Sequence, residues 1–190
     1  MDLQHECGIA AIYHFDSPTP SRLAPPAGPE QVSRLMPRML LDLQNRGQLA
    51  AGFTTYNPKR EKLLDTYKNI GTVIEAFRLN HQAKSESIMK EYGGRAAIGH
   101  VRYATCGQSD RSYAQPFQRY HGCKWKWFSF AFNGQLTNFA ELRDELLNNS
   151  DYHLSRNLDT EVIMHCLSYE LRNEARPDLV QVFRNISKKF

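Results

Sequence analysis

The sequence predicts a layered α+β protein, and two observations carry this prediction. Short apolar runs with β-branched residues, typical of strands, lie at residues 8–13, 50–56 and 95–105. Apolar residues at helical spacing lie over residues 32–43 and again from residue 159. Because strands and helices do not alternate regularly, the pattern argues against a parallel, doubly wound sheet.

The N-terminal part is predicted to begin with a strand at Gly8–Tyr13. Several prolines make residues 16–29 an irregular loop, because proline cannot donate a hydrogen bond to a ladder. A helix is predicted from Pro29, with a kink at Pro37 and a stop at Gly47.

A hairpin and two further strands are predicted next. The hairpin strands are Ala50–Tyr56 and Leu63–Tyr67, separated by the turn signal Asn57-Pro58. The other strands are Arg95–Thr105 and Trp127–Phe132, and each is followed by a polar loop that contains glycine. Such strand ends often carry reactive groups.

Two helices are predicted in the C-terminal part. Asn138 can cap the first, and Glu141 three residues later would complete a capping box. The second is predicted to start at Asp159 or Thr160 and to continue to Leu171.

Composition sets broad limits on function. The chain has 190 residues, which suits one domain, and a net charge of +4, which does not by itself imply a nucleic-acid partner. It has no apolar run of the roughly 18–20 residues that a bilayer span requires and no secretion signal at its start, so we expect a cytoplasmic protein without a membrane partner. Its cysteines form no Cys-x-x-Cys pair, so neither a zinc ribbon nor a redox motif is predicted. His121-Gly122-Cys123 and His165-Cys166 have no second pair at metal-ligand spacing, so no metal site is expected.

Cys7 stands out because of the motifs that follow it in the sequence. Taken alone, Cys7 could be a buried structural residue, since free cysteine usually behaves as a small hydrophobe. It is followed by an ordered set of polar and glycine-bearing motifs: Leu43-Gln44-Asn45-Arg46-Gly47-Gln48, Gly99-His100-Val101-Arg102-Tyr103-Ala104-Thr105, Ala114-Gln115-Pro116-Phe117, Asn133-Gly134-Gln135-Leu136-Thr137-Asn138 and Asp159-Thr160-Glu161.

This set resembles the glutaminase domain of the class II glutamine amidotransferases, which are N-terminal nucleophile hydrolases. The resemblance extends from Cys7 to about Leu167, and the motif wording is closest to the amidophosphoribosyltransferase branch. It implies a four-layer αββα sandwich of two antiparallel sheets. It also implies a propeptide at residues 1–6, an incomplete glutaminase domain at residues 7–190 and a phosphoribosyltransferase domain that this chain lacks.

The resemblance implies that Cys7 is the nucleophile and, after removal of residues 1–6, the first residue of the mature protein. Its own α-amine could then act as the base, since a reference α-amine has a pKa of about 7.7–8.0, suited to proton exchange at neutral pH. L-Glutamine would be hydrolysed to glutamate and ammonia through a thioester.

The oxyanion formed in that reaction needs preplaced donors. By resemblance, these are the Asn133 side-chain amide and the Gly134 backbone N–H; the alternative is a type I′ hairpin turn. Arg46 corresponds to an arginine beside the active cysteine, where a cation favours a thiolate, and the alternative is a solvent-exposed arginine at a helix end.

Glutamine recognition is also implied by resemblance. Arg102 matches an arginine that binds the α-carboxylate, Thr105 would add a hydroxyl donor, and Tyr103 would lie near the pocket. Asp159 matches the acid that receives the α-ammonium group. The alternatives are a surface charge for Arg102 and a helix N-cap for Asp159.

The chain departs from the usual family wording at Asn45 and Phe132, where histidine is common, which puts the polarity of the pocket and the branch in doubt. The expected partners are L-glutamine and a C-terminal synthase (phosphoribosyltransferase) domain, in a full-length homo-oligomer. No cofactor is expected in this chain, and Mg²⁺ is expected only for the phosphoribosyltransferase domain. Lys124–Trp127 could suggest nucleic-acid binding, but strand alternation is the simpler interpretation.

Rival functions stay open at this point. One is a non-catalytic regulatory or assembly module that keeps an unprocessed N-terminus. Another is an amidotransferase of the hexosamine or asparagine type, or a stand-alone amidohydrolase.

Overall fold

A computed structural model describes residues 7–19, 21–103, 110–149, 153–156, 158–173 and 175–190. Its contacts divide the chain into two units. The first consists of Met1–Gln118 with Phe128–Asn133, and the second of Arg119–Trp127 with Gly134–Phe190. The class is α+β with two antiparallel sheets, as the sequence predicts.

A four-stranded antiparallel sheet organises the first unit, with the strand order β1-β4-β2-β3. Gly8 at the start of β1 pairs with Val101 near the end of β4, and Ala50 at the start of β2 pairs with Arg102. The residue before β1 therefore lies beside the residues that end β4. The strands are β1 Gly8–Tyr13, β2 Ala50–Tyr56, β3 Leu64–Ile70 and β4 Ala96–Arg102.

One face of this sheet packs against helices α1 (Met36–Asp42) and α2 (Val73–Ala76). Helix α3 (Gln82–Glu91) contributes Met89 to the same apolar cluster. Phe53 of β2 is fully buried there and stacks on Phe77 with ring centroids 5.2 Å apart. Burial of such a side chain contributes about 1.5–3 kcal/mol, so this face supplies much of the stability of the unit.

The other face carries a small sheet of two strands, β5 (Phe117–Arg119) and β6 (Phe128–Phe130). The Ser129 hydroxyl lies 2.8 Å from the Phe117 carbonyl oxygen and 2.9 Å from the Thr54 hydroxyl oxygen. The polar edge of β6 is thus tied to β2.

The second unit contains helices α4 (Phe139–Asn149), α5 (Asp159–Glu170) and α6 (Leu179–Ser187). The buried Glu161 carboxylate accepts backbone N–H bonds from Ser155 at 2.8 Å and Arg156 at 2.6 Å, which ties the preceding loop to α5. The apolar cluster of this unit consists of Leu142, Leu146, Val162 and Cys166.

Most predicted elements are confirmed, among them the strand Gly8–Tyr13, the hairpin and the helix from Asp159. The hairpin's second strand runs on to Ile70, beyond the predicted end. The strand predicted at Trp127–Phe132 is shorter, covering only Phe128–Phe130.

The single helix predicted from Pro29 to Gly47 is wrong. A 3₁₀ turn at Val32–Arg34 precedes α1, which starts at Met36, and a second 3₁₀ turn ends at Arg46. Pro37 lies in the first turn of α1 rather than at a kink, and there its missing N–H removes no helical hydrogen bond.

Two local predictions in the C-terminal part are also wrong. The Asn138 side chain does not cap α4, because its amide nitrogen donates to the Lys189 carbonyl oxygen at 2.5 Å and its oxygen has no partner among the residues that the structure describes. Lys124–Lys126 is a 3₁₀ turn rather than part of a strand. Lys126 is buried, and its ammonium group donates to the Arg172 carbonyl oxygen at 3.1 Å.

Candidate active site

Cys7 lies immediately before β1 and is half-buried. Its carbonyl oxygen accepts two hydrogen bonds, from Arg46 Nε at 3.2 Å and from Asn133 Nδ2 at 2.7 Å. Its thiol donates to the Tyr103 carbonyl oxygen at 3.7 Å, an ordinary distance for sulfur. Three separate segments of the first unit therefore meet at this cysteine.

Arg46 reaches Cys7 because its loop lies directly against the end of β4. A Cβ atom at Gly47 would stand 2.5 Å from the Arg102 carbonyl carbon and 2.7 Å from the Tyr103 nitrogen. Only glycine fits that approach, and the Leu49 N–H then donates to the Arg102 carbonyl oxygen at 3.0 Å. Arg46 is thus a half-buried residue bonded to the cysteine backbone, rather than the solvent-exposed arginine of the alternative interpretation.

Arg102 ends β4 and is only 8% exposed, so its interpretation as a surface charge is wrong. Its guanidinium carbon lies 5.5 Å from the centre of the Tyr113 ring, within the range of a cation–π contact. The next residue, Tyr103, contributes its main-chain carbonyl to the Cys7 thiol. Tyr103 therefore contacts the cysteine through its main chain, and Arg102 directly precedes it at the end of β4.

Asn133 follows the small sheet, and its side chain is exposed apart from the bond to Cys7. No strand follows it among the residues described from Gly134 onward, so Asn133-Gly134 is not the turn of a hairpin. An amide nitrogen carries two N–H groups. With one donated to Cys7, the second has a defined direction.

Gly134 and Asp159 belong to the second unit. Asp159 is the first residue of α5, while Leu158 occupies the N-cap position, so the capping alternative is wrong. The Asp159 Oδ2 atom accepts the Leu136 N–H at 2.8 Å. Thr105 and residues 1–6 lie outside the described residues.

His100 is a buried ionisable residue of β4 that the sequence interpretation left without a role. Neither of its ring nitrogens has a partner at hydrogen-bond geometry within the described part of the chain. Burial lowers the pKa of His100 to about 4; the Phe132 backbone opposes this shift, and the charge of Arg102 adds to it. The ring is therefore neutral near pH 7.

Comparison with known proteins shows the family to which the chain belongs. A family model described as the glutamine amidotransferase domain matches residues 78–172. The chain belongs to this family. The match spans β4, the segment that contains Gln115 and Asn133, and helix α5.

Several relatives of this amidotransferase domain share the name amidophosphoribosyltransferase. The chain is 34% identical over 179 residues to amidophosphoribosyltransferase 2, chloroplastic, of Arabidopsis thaliana, and the alignment covers 94% of the chain and 27% of the relative. The chain spans about a quarter to a third of the length of the curated relatives it matches.

Two solved structures share the fold. One, described as the allosteric regulatory enzyme of purine biosynthesis, has a TM-score of 0.71 at 23% identity and covers 97% of this chain and 33% of its own. The other is a glutamine phosphoribosylpyrophosphate amidotransferase from B. subtilis complexed with ADP and GMP; its TM-score is 0.66 at 24% identity, with 97% of this chain and 32% of its own covered. These similarities confirm the predicted N-terminal nucleophile hydrolase fold of the amidotransferase domain. None of the helices that the structure describes has the length and apolar character to cross a membrane.

Proposed function

We propose that this amidotransferase domain hydrolyses L-glutamine to L-glutamate and ammonia, with Cys7 as the nucleophile. The observation that supports it best is the double hydrogen bond from Arg46 and Asn133 to the Cys7 carbonyl oxygen. These bonds fix the main chain of the cysteine, which is half-buried as a residue.

The proposed reaction starts with removal of residues 1–6, which frees the Cys7 α-amine. This amine takes the thiol proton, and the sulfur adds to the side-chain amide carbon of glutamine. The negative charge on the amide oxygen is met by the second N–H of Asn133 and by the Gly134 backbone N–H. The C–N bond then breaks, the α-ammonium group returns its proton to the leaving nitrogen, and ammonia departs from the thioester. Water cleaves the thioester, which releases glutamate and restores the thiol.

The residues proposed to recognise the substrate are assigned from the resemblance to the family. Arg102 binds the α-carboxylate of glutamine through its planar guanidinium, with Thr105 adding a hydroxyl donor and Tyr103 bordering the pocket. Asp159 receives the α-ammonium group. Arg46 holds the Cys7 backbone and brings a positive charge that favours the thiolate.

We propose further that the ammonia serves the formation of phosphoribosylamine from phosphoribosyl pyrophosphate. The names of the relatives support this acceptor, because they are amidophosphoribosyltransferases. A C-terminal phosphoribosyltransferase domain would receive the ammonia, within a homo-oligomer. The cytoplasmic location stays a prediction, and the Arabidopsis relative is by its name a chloroplast protein.

N-terminal sequencing and intact mass test the processing step. We expect mature chains that begin at Cys7, and glutamate release that is lost in Cys7→Ala but kept in the control Cys123→Ala, which alters an exposed cysteine of the second unit. Chains that uniformly retain Met1 and release no glutamate would instead support the non-catalytic module. Pyrophosphate release that depends on both glutamine and phosphoribosyl pyrophosphate, measured on the protein that carries this domain, tests the acceptor.

A further inference from the structure

The Gln115 side chain makes a paired contact with the main chain of one residue. Its Nε2 atom donates to the Phe132 carbonyl oxygen at 3.0 Å, and its Oε1 atom accepts the Phe132 N–H at 2.7 Å. Gln115 is 9% exposed, so water competes little for these bonds. The amide thus pairs with Phe132 as a neighbouring strand would.

This contact occurs where regular pairing has ended. Strand β6 stops at Phe130, and residues 131–133 belong to no strand or helix. The Asn133 side chain is exposed, so packing does not hold it in place. Apart from its bond to Cys7, its position therefore depends on how well the main chain at Phe132 is fixed.

Gln115 itself is anchored to the central sheet. Its carbonyl oxygen lies so close to Gly52 of β2 that a Cβ atom there would stand 2.5 Å away. On β3, the Lys68 ammonium group donates to the Ala114 carbonyl oxygen at 2.5 Å and lies 3.4 Å from that of Pro116. The residues on both sides of Gln115 are thus tied to a rigid element.

A continuous series of contacts runs from the central sheet to the cysteine. Gln115 fixes Phe132, the following Asn133 donates to the Cys7 carbonyl oxygen, and all these residues lie within the first unit. Because Asn133 uses one N–H on Cys7, a shift of its backbone would misdirect the other.

We propose that Gln115 is a positioning residue for glutamine hydrolysis, which holds Phe132 so that the Asn133 amide meets the oxyanion. This inference rests on the proposed function. Gln115 acts only through Asn133 and does not touch the substrate. Its loss should therefore affect the rate of the chemical step more than the binding of glutamine.

The first test is Gln115→Met, which removes both bonds. Loss of an oxyanion donor lowers kcat by about 10²–10³-fold, and a donor that is only misdirected should lower kcat by less. We therefore expect kcat to fall by about 10- to 100-fold, with KM changed less than about twofold. The matched control is Gln118→Met, on the same segment, whose amide oxygen instead accepts the Thr66 hydroxyl at 2.6 Å. It should keep the wild-type kcat. A wild-type kcat in Gln115→Met would overturn the proposal.

Alkylation of Cys7 by iodoacetamide separates positioning from damage to the fold, because this displacement at carbon develops no oxyanion. We expect Gln115→Met to be alkylated at the wild-type rate while its glutamine hydrolysis falls. In the double variant Gln115→Met/Asn133→Ala, kcat should equal that of Asn133→Ala alone, because Gln115 acts through Asn133. Multiplied losses, or equal slowing of alkylation and hydrolysis, would indicate a general structural role and reject the proposal.

Gln115→Glu offers a rescue. An ionised carboxylate repels the Phe132 carbonyl oxygen, whereas a protonated one restores both bonds. Its activity relative to the wild type should therefore rise as the pH falls from 8 to 5, and a flat ratio contradicts the proposal.

A wild-type protein that cannot hydrolyse glutamine would refute the proposed function rather than the contact. In that case hydrogen exchange at the Phe132 amide decides: faster exchange in Gln115→Met than in Gln118→Met supports the positioning role, and equal rates reject it.

Discussion

The Asn133 side chain donates a hydrogen bond of 2.7 Å to the carbonyl oxygen of Cys7, across a sequence separation of 126 residues. This contact joins the end of the small sheet to the start of the central one. It places an amide donor beside the residue proposed to attack glutamine, so the two roles can be tested together.

Asn133→Ala removes one proposed oxyanion donor. We expect kcat for glutamine hydrolysis to fall by about 10²–10³-fold with the thermal midpoint little changed, since the side chain is exposed. Steady-state glutamate release checks this. Asn148→Ala, on the exposed face of α4, is the control and should match the wild type. Equal activity in both variants would remove Asn133 from the mechanism.

Gly47→Ala tests the close approach that carries Arg46 to Cys7. The added methyl group would overlap the Arg102 backbone, so the loop must move and the protein should lose about 1–3 kcal/mol of its free energy of unfolding. Because Arg46 moves with the loop, kcat should fall as well. Denaturant titration and steady-state kinetics measure the two effects.

The control for that substitution is Gly122→Ala, because no heavy atom lies within 4 Å of a Cβ built there. Its stability should change by less than about 0.5 kcal/mol. A stable, fully active Gly47→Ala protein would show that the loop can yield without consequence.

The central sheet was largely predictable because its strands have strong local signals. Ala50–Tyr56 contains small, β-branched and aromatic residues and is followed by a turn dipeptide, so the hairpin follows from local propensity alone. The path from Pro29 to Gly47 was not predictable, because helical spacing does not reveal that the chain turns tightly before Met36 and again after Leu43. That path depends on packing against the sheet.

The candidate site was also predictable only in part. Motif resemblance singled out Cys7, Arg46 and Asn133, and the structure places them in contact. The pairing of Gln115 with Phe132 could not be predicted, since a side chain that bonds the main chain of a distant residue leaves no periodic signal. The burial of Lys126 could not be predicted for a related reason. In the sequence, a lysine whose ammonium group is buried against a carbonyl oxygen looks like any surface lysine.

The pKa of His100 predicts a pH dependence of stability. Its folded-state pKa of about 4 lies below the reference value of 6.5, so the unfolded chain binds the proton more readily. The stability that the neutral ring contributes is fully present above pH 6.5 and is lost as the pH falls toward 4. A shift of this size corresponds to at most about 3 kcal/mol.

His100→Leu should therefore show a shallower loss of unfolding free energy between pH 7 and pH 4 than the wild type. Denaturant titrations at several pH values check this, with His81→Gln at an exposed position as the control. The slope in the control should equal that of the wild type. Parallel curves for His100→Leu and the wild type would mean that the buried ring does not titrate in this range.

Asp159→Asn isolates the charge proposed to bind the α-ammonium group of glutamine. The Leu136 N–H bonds to one carboxylate oxygen of Asp159, and an asparagine carbonyl can accept the same bond, so the loop should stay in place while the charge is lost. A charge-assisted hydrogen bond contributes about 1.5–3 kcal/mol, so kcat/KM for glutamine should fall roughly 10- to 150-fold, mainly through KM. For a glutamine analogue without the α-amine, Asp159→Asn should leave kcat/KM unchanged. The control Asp144→Asn, at an exposed position of α4, should match the wild type with both substrates. Equal losses for both substrates would mean that Asp159 supports the loop rather than recognising the amine.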